Sequence, residues 1–316
     1  MSKSVVVTGG AGFIGSHLVD LLLNAGNRVT VLDNFSYGKY SYLDSTHECL
    51  TIAEGDITNG DTVHRIITQA NPEIIYHLAA LHHIPTCENN PDEALRINVE
   101  GTQHVLNTAA GLPNLKRIVF ASSGAVYDIL DSPLLEDQTA TIPYDIYSVS
   151  KLSGEYLMRL WANKFGKQAL VARIFNTIGG RETNAHLVPE IVQQLLDGKT
   201  TIELGNLEPK RSYIDVRDTS AGLFVLGNCN HTTSCDVVNL GREDEFNVRE
   251  IVDMLQVVHS SPISIVQSPS RMRKVDRIKQ LASMSKMKSI TGWQPEYLVQ
   301  QGIHYAYEFD KEKRVR

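Results

Sequence analysis

The sequence has few cysteines and no block of a single charge, and these absences exclude several classes of protein. The four cysteines, Cys49, Cys87, Cys229 and Cys235, form no C-x-x-C pair. We therefore predict free thiols in a reducing compartment and no disulfide framework. The 30 basic and 36 acidic residues are interspersed and give a net charge of −6. This distribution argues against a nucleic-acid partner.

Long apolar segments are absent as well. No run approaches the roughly 18 apolar residues of a membrane span, so no membrane association is expected. The first residues lack the charged stretch and apolar stretch of a secretion signal, which together with the thiols predicts a cytoplasmic protein. The 316 residues are enough for one large domain or two lobes.

The sequence does contain a glycine-rich turn in its first segment, VVVTGGAGFIGSHL, at residues 5–18. A run typical of a strand buried on both faces leads into Gly9, Gly12 and Gly15, and helical spacing of apolar residues begins at Phe13. Gly9 would permit the turn, Gly12 would let the backbone approach a ligand, and Gly15 would let helix and strand pack closely. The N–H groups at the helix start would then face a pyrophosphate, although such loops also occur where nothing binds.

The next strand distinguishes between these two interpretations. It lies in NRVTVLDN and ends at Asp33, 18 residues after Gly15. An acidic residue near this distance holds the adenosine ribose hydroxyls in dinucleotide-binding folds. Because a carboxylate there would repel a 2′-phosphate, we predict NAD as the cofactor in preference to NADP.

The alternation of strands and helices continues as far as residue 175. Four more segments are typical of buried strands: LTIAEGDI, EIIYHLAA, KRIVFASS and QALVARIF. Helical patterns occupy residues 58–70, 94–110 and 146–164, and Thr58 is the expected cap of the first. Repeated β-α-β units of this length predict an α/β fold with a Rossmann-type, doubly wound parallel sheet over residues 1–175.

After about residue 176 the strands are short and the loops carry more glycine and proline. We predict a smaller mixed α/β lobe from residues 176–211 and 243–316, which would bind substrate at the carboxyl edge of the sheet. The segments RSYIDVRDTSAGLFVLG and DVVNLG, at about 212–242, are expected to return to the main sheet.

Candidate catalytic residues follow the fifth strand. Tyr147 and Lys151 in YDIYSVSK are four residues apart and would share a helix face. A neighbouring cation favours loss of the tyrosine proton, which would make Tyr147 a base for an alcohol, although such a pair also occurs on plain surfaces. In FASSGAVY, either Ser122 or Ser123 would donate to the reacting oxygen, or would cap a turn.

Three histidines, His77, His82 and His83, lie close together in the sequence. His77 is at a strand end and the others are in a loop, without a cysteine or carboxylate at ligand spacing. We therefore predict no metal site.

Together these motifs resemble the extended short-chain dehydrogenase/reductase family, above all its NAD-dependent nucleotide-sugar epimerases and dehydratases. The resemblance is closest to the UDP-sugar 4-epimerases and covers nearly the whole chain. Besides the serine, tyrosine and lysine above, it rests on TGGAGFIG, GDI, HLAA, ARIFNTIGG, RSYIDVRD and RKVD.

The resemblance implies roles for particular residues. The catalytic residues would be Ser123, Tyr147 and Lys151. The cofactor would be contacted by Gly9, Gly12, Phe13, Ile14, Gly15, Asp33, Asn34, Asp56, Ile57, Leu78, Ala79, Ala80, Asn98, Tyr147 and Lys151. The substrate, a nucleotide sugar, would be contacted by Ser123, Tyr147, Asn176, His186, Leu187, Arg211, Arg273 and Asp276.

Departures from the family pattern bear on the reaction. Acidic residues follow the catalytic serine or threonine in the dehydratases, and a glutamate lies in that segment in the decarboxylases, whereas Gly124 and Ala125 stand here. This favours epimerisation at C4 through a 4-keto sugar, because no acid is present to protonate a leaving 6-hydroxyl. A dehydratase or decarboxylase with an acid from elsewhere is the alternative, and a non-catalytic NAD-binding regulator is an alternative of another class.

Three other positions set further expectations. His82 stands where some UDP-galactose epimerases have a lysine, and His186 stands where an asparagine commonly approaches the nucleotide. Arg181 would either reach a carboxylate at C6 of the sugar or lie in solvent or near Glu182.

The helices at 94–110 and 146–164 resemble a pair that meets across a two-fold axis, which predicts a homodimer.

Overall fold

The computed structural model describes residues 2–129, 133–272 and 277–315. The strands in these ranges are β1 (Ser4–Thr8), β2 (Arg28–Asp33), β3 (Leu50–Glu54), β4 (Ile74–His77), β5 (Arg117–Ser123), β6 (Gln168–Ile174), β7 (Asn176–Ile178), β8 (Thr201–Leu204), β9 (Lys210–Arg211), β10 (Tyr213–Asp215), β11 (Cys235–Leu240), β12 (Ser264–Gln267) and β13 (Lys279–Gln280). The α-helices are α1 (Phe13–Asn24), α2 (Gly60–Ala70), α3 (Ile84–Asn89), α4 (Pro91–Leu95), α5 (Gly101–Ala110), α6 (Ile146–Phe165), α7 (Leu187–Leu196), α8 (Val216–Asn228), α9 (Val248–His259), α10 (Ser285–Thr291) and α11 (Val299–Val315).

The main sheet has seven strands within the described ranges, in the order β11-β6-β5-β4-β1-β2-β3. Every neighbouring pair is parallel. This is the doubly wound α/β architecture that the alternating pattern predicts. Because parallel strands place their carboxyl ends on one edge, the loops after β1, β2, β4 and β5 meet there.

Both faces of the sheet are covered by helices. Val5 and Val7 of β1 pack into one core with residues of α1 and α8, while Val6 packs into a second core with residues of α2, α5 and α6. The alternation of side chains along a strand produces these two layers. The continuous apolar character of β1 therefore has the predicted cause, burial on both faces.

The predicted N-cap of α2 lies one residue too early in the sequence. The Oδ1 atom of Asn59 accepts from the Thr62 N–H at 2.9 Å, which makes Asn59 the N-cap. The Thr58 hydroxyl instead donates to Asp56 at 2.7 Å. Thr58 therefore closes the preceding turn, and α2 begins at Gly60.

The helix predicted at 94–110 begins earlier and is not uniform. Proline at the first position starts α4 at Pro91, where a missing N–H costs nothing. The chain continues through a π-helical segment at Arg96–Glu100 into α5. The π segment carries Asn98, whose side chain is used at the site described below.

The second lobe has its own core, to which α7, α9 and α11 contribute Ile191, Ile251 and Ile303. Three short parallel pairs, β7 with β10, β8 with β12 and β9 with β13, belong to it. Among the segments expected to return to the main sheet, β11 does so and pairs with β6, and α8 packs against α1. β10 does not return, because β11 occupies the place beside β6 and Asp215 caps α8 directly after β10.

All four cysteines are free thiols. Within the described ranges, no helix has both the length and the apolar character that crossing a membrane requires.

Candidate active site

The glycine turn between β1 and α1 has the geometry of an anion-binding loop. Gly9 adopts φ +71°, and a Cβ on Gly15 would lie 2.1 Å from the carbonyl oxygen of Gly9. At Gly12 the nearest atom to such a Cβ is 3.2 Å away, and no side chain caps the helix that follows. The first N–H groups of α1 are therefore open to a ligand, as the three glycine positions predict.

The acidic residue after β2 is tied to this loop. The Asp33 carboxylate accepts from the N–H groups of Ala11 at 2.9 Å and Phe35 at 2.8 Å. Burial raises the pKa of Asp33 above its ordinary value. Beside it, the Asn34 amide donates to Asp56 at 2.9 Å. The carboxyl ends of β2 and β3 are thus joined next to the glycine turn.

The loop after β4 closes the other side of the turn. A Cβ on Gly9 would lie 2.7 Å from the Ala79 nitrogen, so the Leu78–Ala80 backbone passes directly over Gly9. Asn98 exchanges hydrogen bonds with the backbone of Leu81 and donates to Ser150. The buried side chain of Asn98 therefore holds the loop in place.

His77 is a structural residue. Its ring lies 2.7 Å from the Thr8 hydroxyl and 2.9 Å from the Thr102 hydroxyl, and burial lowers its pKa to about 3. A neutral imidazole that bridges two hydroxyls joins β1, β4 and α5. In the described part of the chain, no group of three or more histidine, cysteine or carboxylate side chains is arranged to hold a metal ion.

The catalytic candidates converge from β5 and α6. The Ser123 hydroxyl lies beside the Tyr147 phenol and acts to lower its pKa. Lys151 donates to the Ala121 carbonyl oxygen at 2.8 Å, and its Nζ atom lies 5.8 Å from the centre of the Tyr147 ring. An Asp145–Ser148 capping box starts α6 at Ile146, which places Tyr147 and Lys151 at this edge.

The pKa of Tyr147 moves in the opposite direction to the expectation from the sequence. Burial raises the pKa of the phenol, and the Ser123 hydroxyl opposes this only in part. Burial also lowers the pKa of Lys151 to about 8. Burial is the largest cause of both shifts, and a further positive charge nearby would favour the phenolate.

The two serines of FASSGAVY have separate roles. The Ser122 hydroxyl donates to Glu155 at 2.5 Å, and Glu155 forms a buried bidentate pair with Arg173. Ser123 instead lies beside Tyr147 and accepts from the Ala125 N–H at 3.1 Å. Ser123 is therefore the serine at the site, and it also caps the turn.

Two arginines lie between the lobes beside this turn. Arg211 on β9 donates to the Arg277 carbonyl oxygen at 2.6 Å, and Arg277 donates to the Ala125 carbonyl oxygen at 2.7 Å. Burial and the charge of Arg211 lower the pKa of Arg277. The sequence analysis missed Arg277, although it directly follows RKVD. Arg273 and Asp276 lie outside the described residues.

Arg181 lies in an ion pair and not in open solvent. It adopts φ +72°, and its guanidinium forms a 2.8 Å ion pair with Asp20 on α1. The guanidinium also lies 6.0 Å from the centre of the Tyr42 ring. The expected contact of Arg181 with a C6 carboxylate stays a prediction.

His186 and Leu187 stand at the start of α7, and Asn176 begins β7. The His186 Nδ1 atom is hydrogen-bonded to the carboxylate of Glu182. Its ring centre lies 5.7 Å from that of His82 and 5.9 Å from that of His83. His82 also meets the Asn184 amide at 3.0 Å.

Comparison with known proteins identifies the family of the chain. The family model described as GDP-mannose 4,6 dehydratase matches residues 6–305. The chain belongs to this nucleotide-sugar epimerase and dehydratase family of extended short-chain dehydrogenases/reductases.

Relatives within the family carry different activities in their names. A UDP-glucose 4-epimerase of Corynebacterium glutamicum is 30% identical over 93% of this chain and 91% of its own length. A UDP-N-acetyl-alpha-D-glucosaminuronate decarboxylase of Bacillus cytotoxicus is 27% identical over 99% of each. The structure of a Thermotoga maritima UDP-glucose 4-epimerase with UDP-glucose has a TM-score of 0.89 and 26% identity, covering 98% of this chain and 99% of that one. The chain is thus an enzyme of a family that includes epimerases and decarboxylases.

Proposed function

We propose that the protein binds NAD and inverts C4 of a UDP-linked sugar through a 4-keto intermediate. The observation that carries the proposal is the Ser123–Tyr147–Lys151 group beside a turn in which Gly124 and Ala125 supply no acid. The names of the epimerase relatives support the UDP-sugar class.

The residues at the glycine turn fit NAD. The uncapped start of α1 would face the pyrophosphate, with Gly12 allowing close approach. Asp33 would face the adenosine ribose, and its negative charge disfavours a 2′-phosphate. When bound, NAD would supply the acceptor for the C4 hydride and a positive charge near the phenol.

Tyr147 would remove the proton from the 4-hydroxyl group of the sugar. Ser123, which lies beside Tyr147, would donate to the same sugar oxygen and keep it in line with the phenol. Lys151 would favour the phenolate by its charge, from its position on Ala121. The 4-keto sugar would then turn over, and Tyr147 would return the proton to the oxygen after the hydride arrives at the other face.

The nucleotide would stay bound while the sugar turns. Arg211 and Arg277 present two cationic groups between the lobes, and charged bidentate contacts to a pyrophosphate are strong. Asn176 and Leu187 would complete this end of the site. A sugar that is held through its diphosphate can rotate about the bonds between the sugar ring and the phosphate.

The turn after Ser123 carries no acid, and it is tightly packed at Gly124. A Cβ on Gly124 would lie 3.2 Å from both the Gln280 amide nitrogen and the Phe175 ring. A larger side chain at this position would have to displace one of them. Decarboxylation or dehydration would therefore need an acid from another element, and a non-catalytic regulator would not need Ser123, Tyr147 and Lys151 side by side.

We also propose that a second copy of the chain packs on α6. Val149, Tyr156 and Leu160 are 39%, 55% and 67% exposed. Their spacing of seven and four residues places them on one helical stripe. An isologous two-fold contact would bury this stripe against its own copy.

A substrate labelled with deuterium at C4 tests the epimerase proposal. If the hydride leaves C4 and returns to it, the inverted sugar keeps the label at C4. Loss of the label to solvent, or an unchanged C4 configuration across a panel of UDP-sugars, would refute the proposal.

A further inference from the structure

Gln280 is a buried polar residue that the proposed mechanism does not use. It is 8% exposed, and its side-chain amide makes no hydrogen bond to another residue in the described ranges. Buried polar groups in proteins are nearly always paired, because an unpaired donor or acceptor costs free energy. The amide of Gln280 therefore needs a partner that the described part of the chain does not supply.

The backbone of Gln280 is held firmly by its neighbours. Its carbonyl oxygen accepts from the Ser212 N–H at 2.9 Å, and β13 pairs with β9 so that Gln280 is the register partner of Arg211. The unpaired group is thus the side chain of a residue whose main chain is fixed. Such a side chain can hold a ligand group at a defined place.

The amide lies against the turn that follows the serine of the site. A Cβ on Gly124 would lie 3.2 Å from the Gln280 amide nitrogen, and Gly124 directly follows Ser123, which lies beside Tyr147. Because Gly124 has no side chain, nothing at this position separates the amide from the turn. Gln280 is therefore adjacent to the group that would hold the 4-oxygen of the sugar.

Gln280 is also adjacent to the proposed pyrophosphate site. Side chains of register partners in a parallel pair leave the strands on the same face, so those of Gln280 and Arg211 share a face. The sugar would join a diphosphate held by Arg211 to a 4-oxygen held by Ser123. The amide of Gln280 borders both ends of that path.

The chemistry of the amide indicates which group of the sugar it would bind. An amide both donates and accepts, and it carries no charge. A hydroxyl group can use both functions, whereas a carboxylate would leave the amide oxygen unpaired. Of the hydroxyl groups that flank the 4-oxygen, the one on C6 is on an exocyclic carbon and can turn toward the amide without movement of the ring.

We propose that Gln280 binds the 6-hydroxyl group of the sugar and makes the protein selective for UDP-hexoses with a free hydroxymethyl group. The proposal rests on the UDP-sugar class in the proposed function. Gln280 takes part in no bond change, so it determines specificity and is not an acid or a base. Its contact would supply the missing partner of the buried amide.

Calorimetry with two ligands that differ by one oxygen atom tests this contact. UDP-glucose and UDP-6-deoxyglucose are titrated into NAD-loaded protein that carries Tyr147→Phe, so that no turnover disturbs the measurement. The same titrations are made after Gln280→Met, which keeps the length of the side chain and removes the amide. The measured quantity is the ratio of the two dissociation constants, in which a general loss of affinity cancels.

Gln194→Met is the matched control. Gln194 is 5% exposed, and its amide is paired within the protein, with the Glu203 carbonyl oxygen at 3.2 Å and the Glu203 N–H at 2.9 Å. This variant also removes a buried glutamine amide, but from α7 and from partners on the chain itself. Thermal melting of each variant checks that the fold is intact.

We expect UDP-6-deoxyglucose to bind about tenfold more weakly than UDP-glucose, because it leaves the amide unpaired. Gln280→Met should bring the ratio close to one, and Gln194→Met should leave it unchanged. Gln280→Asn, whose amide is one carbon shorter, should also lower the ratio and provides a second variant that stays polar.

Each outcome decides a separate point. Equal affinity of the starting protein for the two ligands overturns the proposal, and so does an unchanged ratio in both Gln280→Met and Gln280→Asn. An equal fall with Gln194→Met would overturn it as well, since the effect would not be local. If the ratio falls as expected but labelled UDP-sugars show no inversion at C4, the epimerase function is refuted and this contact stands. Protein that binds neither ligand refutes the UDP-sugar class and this contact together.

Discussion

The Lys151 ammonium nitrogen lies 2.8 Å from the Ala121 carbonyl oxygen, so a buried cation joins α6 to β5 at the site. Two aromatic rings lie near the same nitrogen, with the Phe120 ring centre at 5.2 Å and the Tyr147 ring centre at 5.8 Å. No carboxylate in the described ranges is hydrogen-bonded to it. The site is therefore built around a charge whose burial costs free energy.

The first prediction concerns the pH dependence of that cost. Burial lowers the pKa of Lys151 from 10.5 to about 8. Between these values the unfolded chain binds more protons at this lysine than the native chain, so its contribution to the free energy of unfolding rises with pH. Below pH 8 Lys151 is charged in both states, so the full cost of burying its charge lowers the free energy of unfolding. We expect Lys151→Met to lose activity, and the melting temperature of the wild type relative to this variant to rise from pH 8 to 10.5.

Lys164→Met, an exposed lysine on the same helix, is the control. Its melting temperature should follow that of the wild type at each pH. A difference in melting temperature between the wild type and Lys151→Met that stays constant from pH 8 to 10.5 would contradict the prediction.

The second prediction concerns the base. Tyr147→Phe removes the phenol oxygen and keeps the buried ring. General-base loss commonly costs about 10²–10⁴-fold in rate, and we expect kcat to fall in that range. UDP-sugar binding, measured by calorimetry, should persist because the proposed nucleotide contacts are those of Arg211 and Arg277. A variant with nearly the wild-type rate would show that another group removes the proton.

The third prediction compares two glycines of the turn. A Cβ on Gly15 would lie 2.1 Å from the Gly9 oxygen, whereas a Cβ on Gly12 would lie 3.2 Å from it. We expect Gly15→Ala to lower the free energy of unfolding by about 1–3 kcal/mol, the usual cost of overpacking. Gly12→Ala should fold nearly normally but bind NAD more weakly. Equal stability of the two variants in urea unfolding would rule out this distinction.

The fourth prediction concerns assembly. Leu160 is 67% exposed at the end of the α6 stripe, and a charge there would be buried in an isologous dimer without a partner. We expect Leu160→Asp to convert a dimer to a monomer in light scattering at micromolar concentration. Lys311→Met on α11 should leave the dimer unchanged. A wild-type protein that is already monomeric would refute the proposed contact.

The local parts of this molecule could be predicted from the sequence. The glycine turn depends on the backbone freedom of Gly9 and on the space beside Gly12 and Gly15, which spacing alone reveals. Tyr147 and Lys151 follow from the period of a helix. The cap at Asn59 was missed because Thr58 and Asn59 are both good capping residues, and the Asp56 carboxylate binds the Thr58 hydroxyl.

Pairings between distant segments could not be predicted. Arg181 meets Asp20 from 161 residues away, and Arg277 meets the Ala125 carbonyl from 152 residues away. Nothing in a local pattern identifies such partners, since they depend on how the second lobe packs on the first. The Glu182–His186 pair is local, at a separation of four residues, but without the helix boundary the sequence offers no reason to connect them.

Product analysis of a UDP-sugar panel tests the central claim most directly. Purified enzyme is incubated with each sugar, and the products are read by NMR for configuration at C4 and by mass spectrometry for composition. The account predicts inversion at C4 with unchanged mass, and an equilibrium mixture approached from either epimer. A main product that has lost water or carbon dioxide would contradict it, and would place the reaction with the dehydratases or decarboxylases of the family.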